Sequence, residues 1–172
     1  LMFSHISDRN IRSMIGGNVI ALVLVSGVIM VAIRSLRFGL VSLIPNLVPA
    51  GLAFGVWGLL VGEVGMSLSI VTALTFGIVV DDAIHFLSKY LHARRDKGLD
   101  PHAAVRYAFS TVGMALFVTS LILVTGFYVL TFSAFWLNAS MGMMCALTIA
   151  LALIADYLLL PPLLMKLEEG KK

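Results

Sequence analysis

Two adjacent carboxylates and an imidazole lie within five residues of each other inside an apolar run, Gly77-Ile78-Val79-Val80-Asp81-Asp82-Ala83-Ile84-His85-Phe86. Burying one carboxylate in a spanning helix costs about 2.5 kcal/mol or more on the mildest scale. None of the chain's long apolar blocks carries an internal Lys or Arg to offset the pair. Low dielectric and mutual repulsion lead two such groups to share a proton and titrate as one coupled unit. His85 follows Asp81 by four residues and Asp82 by three, so a helix places it on a face with both. Its imidazole changes charge near physiological pH. Asp81, Asp82 and His85 are therefore read as a proton relay. The alternatives are an inter-helical polar clamp and direct substrate contact. Asp81 and Asp82 project about 100° apart on a helix, so one can clamp while the other titrates.

Other polar residues are placed to extend such a path. Thr75 precedes Asp82 by seven residues on the same helical face, and Thr148 precedes Asp156 by eight. Thr119-Ser120 and Asp156 are expected at a comparable depth on later helices. Hydroxyls in spanning helices usually bond their own i−4 carbonyl or glue helices together. Thr119 and Asp156 are carried forward as possible relay partners, and a buried structural acid is the other reading of Asp156. No metal site is expected, because Asp81, Asp82 and His85 stand on one helix without a ligand partner elsewhere. No cofactor motif, nucleophile elbow, phosphate loop or nucleotide fingerprint is present, which leaves the proton as the coupling ion.

The elements that hold these residues follow from composition. The chain has 172 residues, of which 60% are hydrophobic and 12% charged, with a mean hydropathy of +1.03. A soluble domain carries about 25% charged residues, so cytosolic enzymes and nucleic-acid binders are excluded, and the single Cys145 permits no internal disulfide. About 20 apolar residues cross a bilayer as a helix, and five blocks qualify, roughly 14–33, 38–61, 67–88, 110–132 and 138–165. Counted at 1.5 Å per residue, Asp81 lies roughly 21 Å from Ser67 and about 12 Å from Lys89, near mid-membrane. The second block holds a helix-kink motif, Pro45-Asn46 and Pro49, that frees backbone carbonyls. The fifth is too long for one span, and a break is expected at Pro161-Pro162. Gly16, Gly17, Gly51, Gly55, Gly58, Gly113 and Gly126 are expected to allow close helix contact.

Charge sorting gives an orientation. Arg34, Arg37, Lys89, Arg94, Arg95, Lys97, Arg106, Lys166, Lys171 and Lys172 fall on one side, and only Arg9 and Arg12 on the other. The N-terminus is thus expected outside and the C-terminus in the cytoplasm, in the cytoplasmic (inner) membrane of a bacterium or archaeon. In the 89–109 connection, the third helix is expected to run to Lys97 and stop at Gly98. Asp100-Pro101 reads as an N-cap followed by proline at the first helical position. Val105, Ala108, Phe109 and Val112 form an apolar stripe suited to the membrane face. Arg94, Arg95 and Lys97 belong to a solvated connector or to an anionic-lipid or regulatory contact. Leu1 and the soluble character of His5–Asn10 suggest a piece of a longer chain.

These residues resemble the resistance-nodulation-division (RND) superfamily. Arg34-Ser35-Leu36-Arg37 with Leu43-Ile44-Pro45-Asn46-Leu47-Val48-Pro49 is similar to the start of its second helix, and Gly77–Phe86 to its mid-membrane acidic motif. Thr119-Ser120 with Gly126-Phe127, and Asp156-Tyr157-Leu158-Leu159-Leu160-Pro161-Pro162, fit its last two helices. The likeness is nearest to the exporter branch carrying the MMPL domain, relatives of hopanoid and mycobacterial lipid transporters and, more distantly, of Patched-like proteins. It implies an all-α polytopic membrane protein, five transmembrane helices of an incomplete six-helix RND half, similar to a sterol-sensing-domain bundle. The short tail and the His-Phe after the acids resemble the second half, helices 8–12. Residues 1–12 then end an extracytoplasmic porter domain, 13–166 form the transmembrane domain and 167–172 a cytoplasmic tail.

By the same resemblance Asp81 and Asp82 match the relay acids, and Thr119 a relay hydroxyl. The multidrug branch has a lysine in this half, so the acidic pair points away from a multidrug pump. The implied activity is secondary active, proton-motive-force-driven export of lipids or other hydrophobic compounds, not an enzymatic reaction. The partners are a lipid or hydrophobic substrate, membrane lipids, the missing N-terminal half with its porter domains, and a homo-oligomer, with no nucleic acid. The runner-up is a non-transporting lipid- or sterol-sensing receptor module or a translocation accessory subunit.

Overall fold

The computed structural model describes residues 36–60 and 66–169, together with positions 16, 17, 20, 23, 24, 26, 27, 30 and 31. Among the described residues every regular element is helical. In chain order these are α1 (Leu36–Leu60), α2 (Met66–Arg95), α3 (Pro101–Ala108), a π-helical segment (Phe109–Gly113), α4 (Met114–Leu130), α5 (Trp136–Leu158) and α6 (Leu160–Glu169). Among the described residues three stretches are long and apolar enough to cross a membrane: Arg37–Leu59, Pro101–Leu130 and Trp136–Glu168. The 30-residue α2 carries the acidic pair. Residues 1–12, Glu63, Lys171, Lys172 and most of the first apolar block lie outside the described residues.

α5 is the central element, packing against α1, α2 and α4. Phe38, Leu87, Tyr90, Ala104, Ala108, Leu160 and Leu164 form a core at the Lys/Arg-rich end. Ala53, Trp57, Val71, Met144 and Cys145 form a second core toward the other end of α1. Pro45 and Pro49 lie within α1 and are fully buried, so the interruptions in its hydrogen-bond ladder face protein rather than lipid.

The turn after α2 follows local backbone rules. The helix ends at Arg95, two residues before the expected Lys97, and Gly98 then takes φ +63°, a left-handed conformation open to glycine at little cost. The Leu99 N–H reaches back 3.1 Å to the Ala93 carbonyl. Asp100 caps α3 as expected, its carboxylate accepting from the Ala103 N–H at 3.4 Å, with Pro101 at the helix start.

Three expectations are corrected. The helix through 110–132 begins at Pro101, because α3, the π segment and α4 run on without a break. The stripe of Val105, Ala108, Phe109 and Val112 does not face the membrane: Ala108 is fully buried and the other three pack against the core around Phe86 and Tyr90. Of the glycines expected to allow close helix contact, Gly113 meets only the Tyr157 hydroxyl from another helix, 3.6 Å from an added Cβ, and at Gly16, Gly17, Gly51, Gly55, Gly58 and Gly126 an added Cβ would meet nothing within 4 Å. Among the described glycines the tightest crossing is at Gly142, where a Cβ would stand 2.6 Å from the Phe127 carbonyl oxygen and 2.7 Å from Leu130 Cβ.

The break near Pro161-Pro162 falls at Leu159, between α5 and α6. Two successive prolines leave the carbonyls four residues earlier without their donors. α6 then continues to Glu169, beyond the expected domain edge at 166.

Candidate functional site in the α2–α4 groove

Asp81, Asp82 and His85 line one side of an open groove of about 750 Å³ between α2 and the π–α4 helix. Gly77 on α2 and Ala115 and Thr119 on α4 widen it, since small side chains leave space where two helices would otherwise close. The helical phase separates the two acids. The Asp81 side chain is 70% exposed and pairs with His85, 60% exposed, at 3.7 Å. Asp82 turns toward α4, and its Oδ2 accepts a hydrogen bond of 3.1 Å from Ser120 Oγ.

The expected partners divide. Thr119 lines the same groove, but its hydroxyl donates to the Ala115 carbonyl of its own helix at 2.9 Å. Thr75 and Thr148 likewise bond Val71 and Met144 carbonyls on their own helices, each at 2.8 Å. The hydroxyl that reaches the acidic pair belongs to Ser120, one residue from the one carried forward. Leu116 and Ser120 are the buried residues of α4, one turn after buried Gly113. That small-and-polar spacing was the available signal. Asp156 on α5 is only 5% exposed, its Oδ1 has no hydrogen-bond partner among the described residues, and it lies within electrostatic reach of Asp82. Asn46 on α1 is also buried, with neither side-chain polar atom partnered among the described residues.

Beside the groove, Tyr157 donates its hydroxyl to the Gly113 carbonyl at 2.6 Å. Gly113 ends the π segment, where the regular i→i−4 ladder is interrupted. The Tyr157 ring also lies 5.2 Å from Phe109, whose ring meets Phe86 of α2 edge-on at 4.8 Å. α5, the π segment and α2 are thereby joined just beyond the acidic pair.

At the Lys/Arg-rich end, Arg94 pairs with Glu168 of α6 and donates to the Leu99 carbonyl. The hydrogen bond to Glu168 raises the Arg94 pKa above its already high ordinary value. This pair joins α6 to the end of α2 and was not foreseen. It commits Arg94 to the protein, away from the lipid or regulatory contact considered for Arg94, Arg95 and Lys97.

A chain whose described residues are all-helical, with three apolar stretches of spanning length among them and acids lining a groove between helices, is a multi-pass membrane protein. More specifically, the chain belongs to the MMPL family, whose model matches residues 1–169. A curated membrane protein of Methanocaldococcus jannaschii is 30% identical over 143 residues. The aligned region covers 81% of this chain and 36% of that protein, so the chain spans about a third of its relative's length.

Proposed function

We propose that this chain is the membrane-embedded part of an RND-type exporter that moves lipids or other hydrophobic compounds at the expense of the proton-motive force. Membership of the MMPL family supports a transport role. The observation that carries the proton reading is the bond between Asp82 of α2 and Ser120 of α4 beside an open groove that Asp81, Asp82 and His85 line. An ionised carboxylate accepts from the serine hydroxyl, whereas a protonated one can also donate. Proton uptake therefore changes the strength and direction of a bond joining two helices, and biases the packing between two states.

Asp81 and His85 supply the exposed mouth of this path, and Asp156 a buried second acid. A charged face of this kind is too costly against hydrocarbon. In this reading water fills the groove and the other half of the transporter covers it. The orientation is the one the Lys and Arg distribution implies, with the Lys/Arg-rich end in the cytoplasm.

The test uses the full-length protein in liposomes containing an NBD-labelled phospholipid, with transfer to an external acceptor followed by fluorescence. Transfer is expected to rise with an imposed pH gradient and to collapse when nigericin dissipates it. Transfer that is indifferent to gradient and ionophore would overturn proton coupling and leave a passive lipid-transfer protein, whereas no transfer above protein-free liposomes would leave a lipid-binding module without transport.

A further inference from the structure

The outer face of the α3–π–α4 helix carries a second cavity, away from the acidic groove. It measures about 530 Å³ and is lined by Asp100, His102, Ala103, Arg106, Tyr107 and Ser110. Arg106 and His102 are exposed, and among the described residues neither side chain has a hydrogen-bond or ion-pair partner. Lys97 adds a second cation at the edge, its Nζ 4.0 Å from the centre of the Tyr107 ring. The one acid present, Asp100, is occupied as the α3 cap. With Asp100 offsetting one charge, Arg106 and Lys97 together leave the cavity and its edge net basic.

The same helical face changes character within one turn. From Arg106 and Ser110 it continues at three- and four-residue steps through Met114, Phe117 and Leu121, all exposed. Ser110 to Leu121 spans roughly 16 Å at 1.5 Å per residue. That is about half the ~30 Å hydrocarbon core, the depth of one leaflet. A basic cavity above a leaflet-deep apolar strip has the shape and polarity of a single lipid molecule.

We infer that this face binds an anionic phospholipid, its phosphate held by Arg106 and His102 and an acyl chain laid along Met114, Phe117 and Leu121. Arginine suits this role because its fork of donors meets two phosphate oxygens at once. The charge distribution puts the site at the cytoplasmic leaflet, where anionic headgroups are concentrated. The site is independent of proton coupling, because neither Arg106 nor His102 lines the α2–α4 groove.

The experiment measures the association of spin-labelled phosphatidylglycerol, relative to spin-labelled phosphatidylcholine, with the full-length protein in bilayers. Arg106→Gln is expected to lower this preference about tenfold or more, the worth of a hydrogen bond to a charged group. Lys166→Gln removes an exposed charge from α6 and should leave the preference unchanged. Phe117→Ser should weaken phosphatidylglycerol binding without altering its salt dependence, because it removes acyl contact and no charge. Equal losses from Arg106→Gln and Lys166→Gln would show diffuse surface attraction and overturn the site. Displacement of the labelled lipid by millimolar inorganic phosphate would also overturn it, in favour of a free-anion site.

Discussion

The hydroxyl of Ser120 and the carboxylate of Asp82 meet across the α2–α4 interface, and this contact distinguishes residues that otherwise look equivalent in the chain. Ser120→Ala removes a bond to a carboxylate and is expected to destabilise the folded protein by about 1.5–3 kcal/mol, the worth of a hydrogen bond to a charged group. Thr119→Ala, whose hydroxyl serves only its own helix, should stay within about 0.5 kcal/mol. Thermal melts of the two variants in one detergent check the difference, and equal shifts would contradict the assignment. The acidic pair itself was legible in the sequence, since two carboxylates in an apolar run demand a reason. Which acid turns inward was not. That depends on the rotation of α2 against α4, and Asp81 and Asp82 differ by one helical step.

At the scale of the element, helix ends could be read from short-range rules because their causes are local. Gly98, Asp100, Pro101 and the Pro161-Pro162 pair each act within one turn of themselves. The places where helices touch have no local cause. Gly142 is the closest approach because the Phe127 carbonyl and Leu130 happen to cross there; Gly126 and Gly55 carry the same residue type and face open space. Gly142→Ala is expected to force α4 and α5 apart at a cost of about 1–3 kcal/mol, as overpacking does. Gly126→Ala should be neutral or stabilising, because alanine is the better helix former. Chemical denaturation of both variants tests this, and a tolerated Gly142→Ala would contradict the crossing. The continuity of α3 into α4 was similarly hidden. A π segment absorbs the polar-to-apolar transition at Phe109–Gly113, and its last carbonyl is satisfied by Tyr157 from a distant part of the chain.

Across the described residues, Asp81, Asp82 and His85 line the α2–α4 groove while apolar residues such as Leu59, Met114, Ile122 and Leu158 cover the outside. Composition and block length made the membrane class and the helical architecture readable before any contact was known. Assembly was less readable, because the ion pair of Arg94 with Glu168 and the bond of Tyr157 to Gly113 join residues far apart in sequence. The Tyr157 bond ties α5 to the π segment beside the acidic pair, and the Arg94–Glu168 pair ties the end of α2 to α6. The most direct test of proton coupling replaces Asp82 in the full-length protein and follows gradient-driven export of the NBD-labelled phospholipid from liposomes. Asp82→Asn, which keeps size and hydrogen bonding but cannot ionise, should insert normally and reduce gradient-dependent export to the level of protein-free liposomes. Asp82→Asn export that matches the parent protein and still follows the gradient would contradict the account.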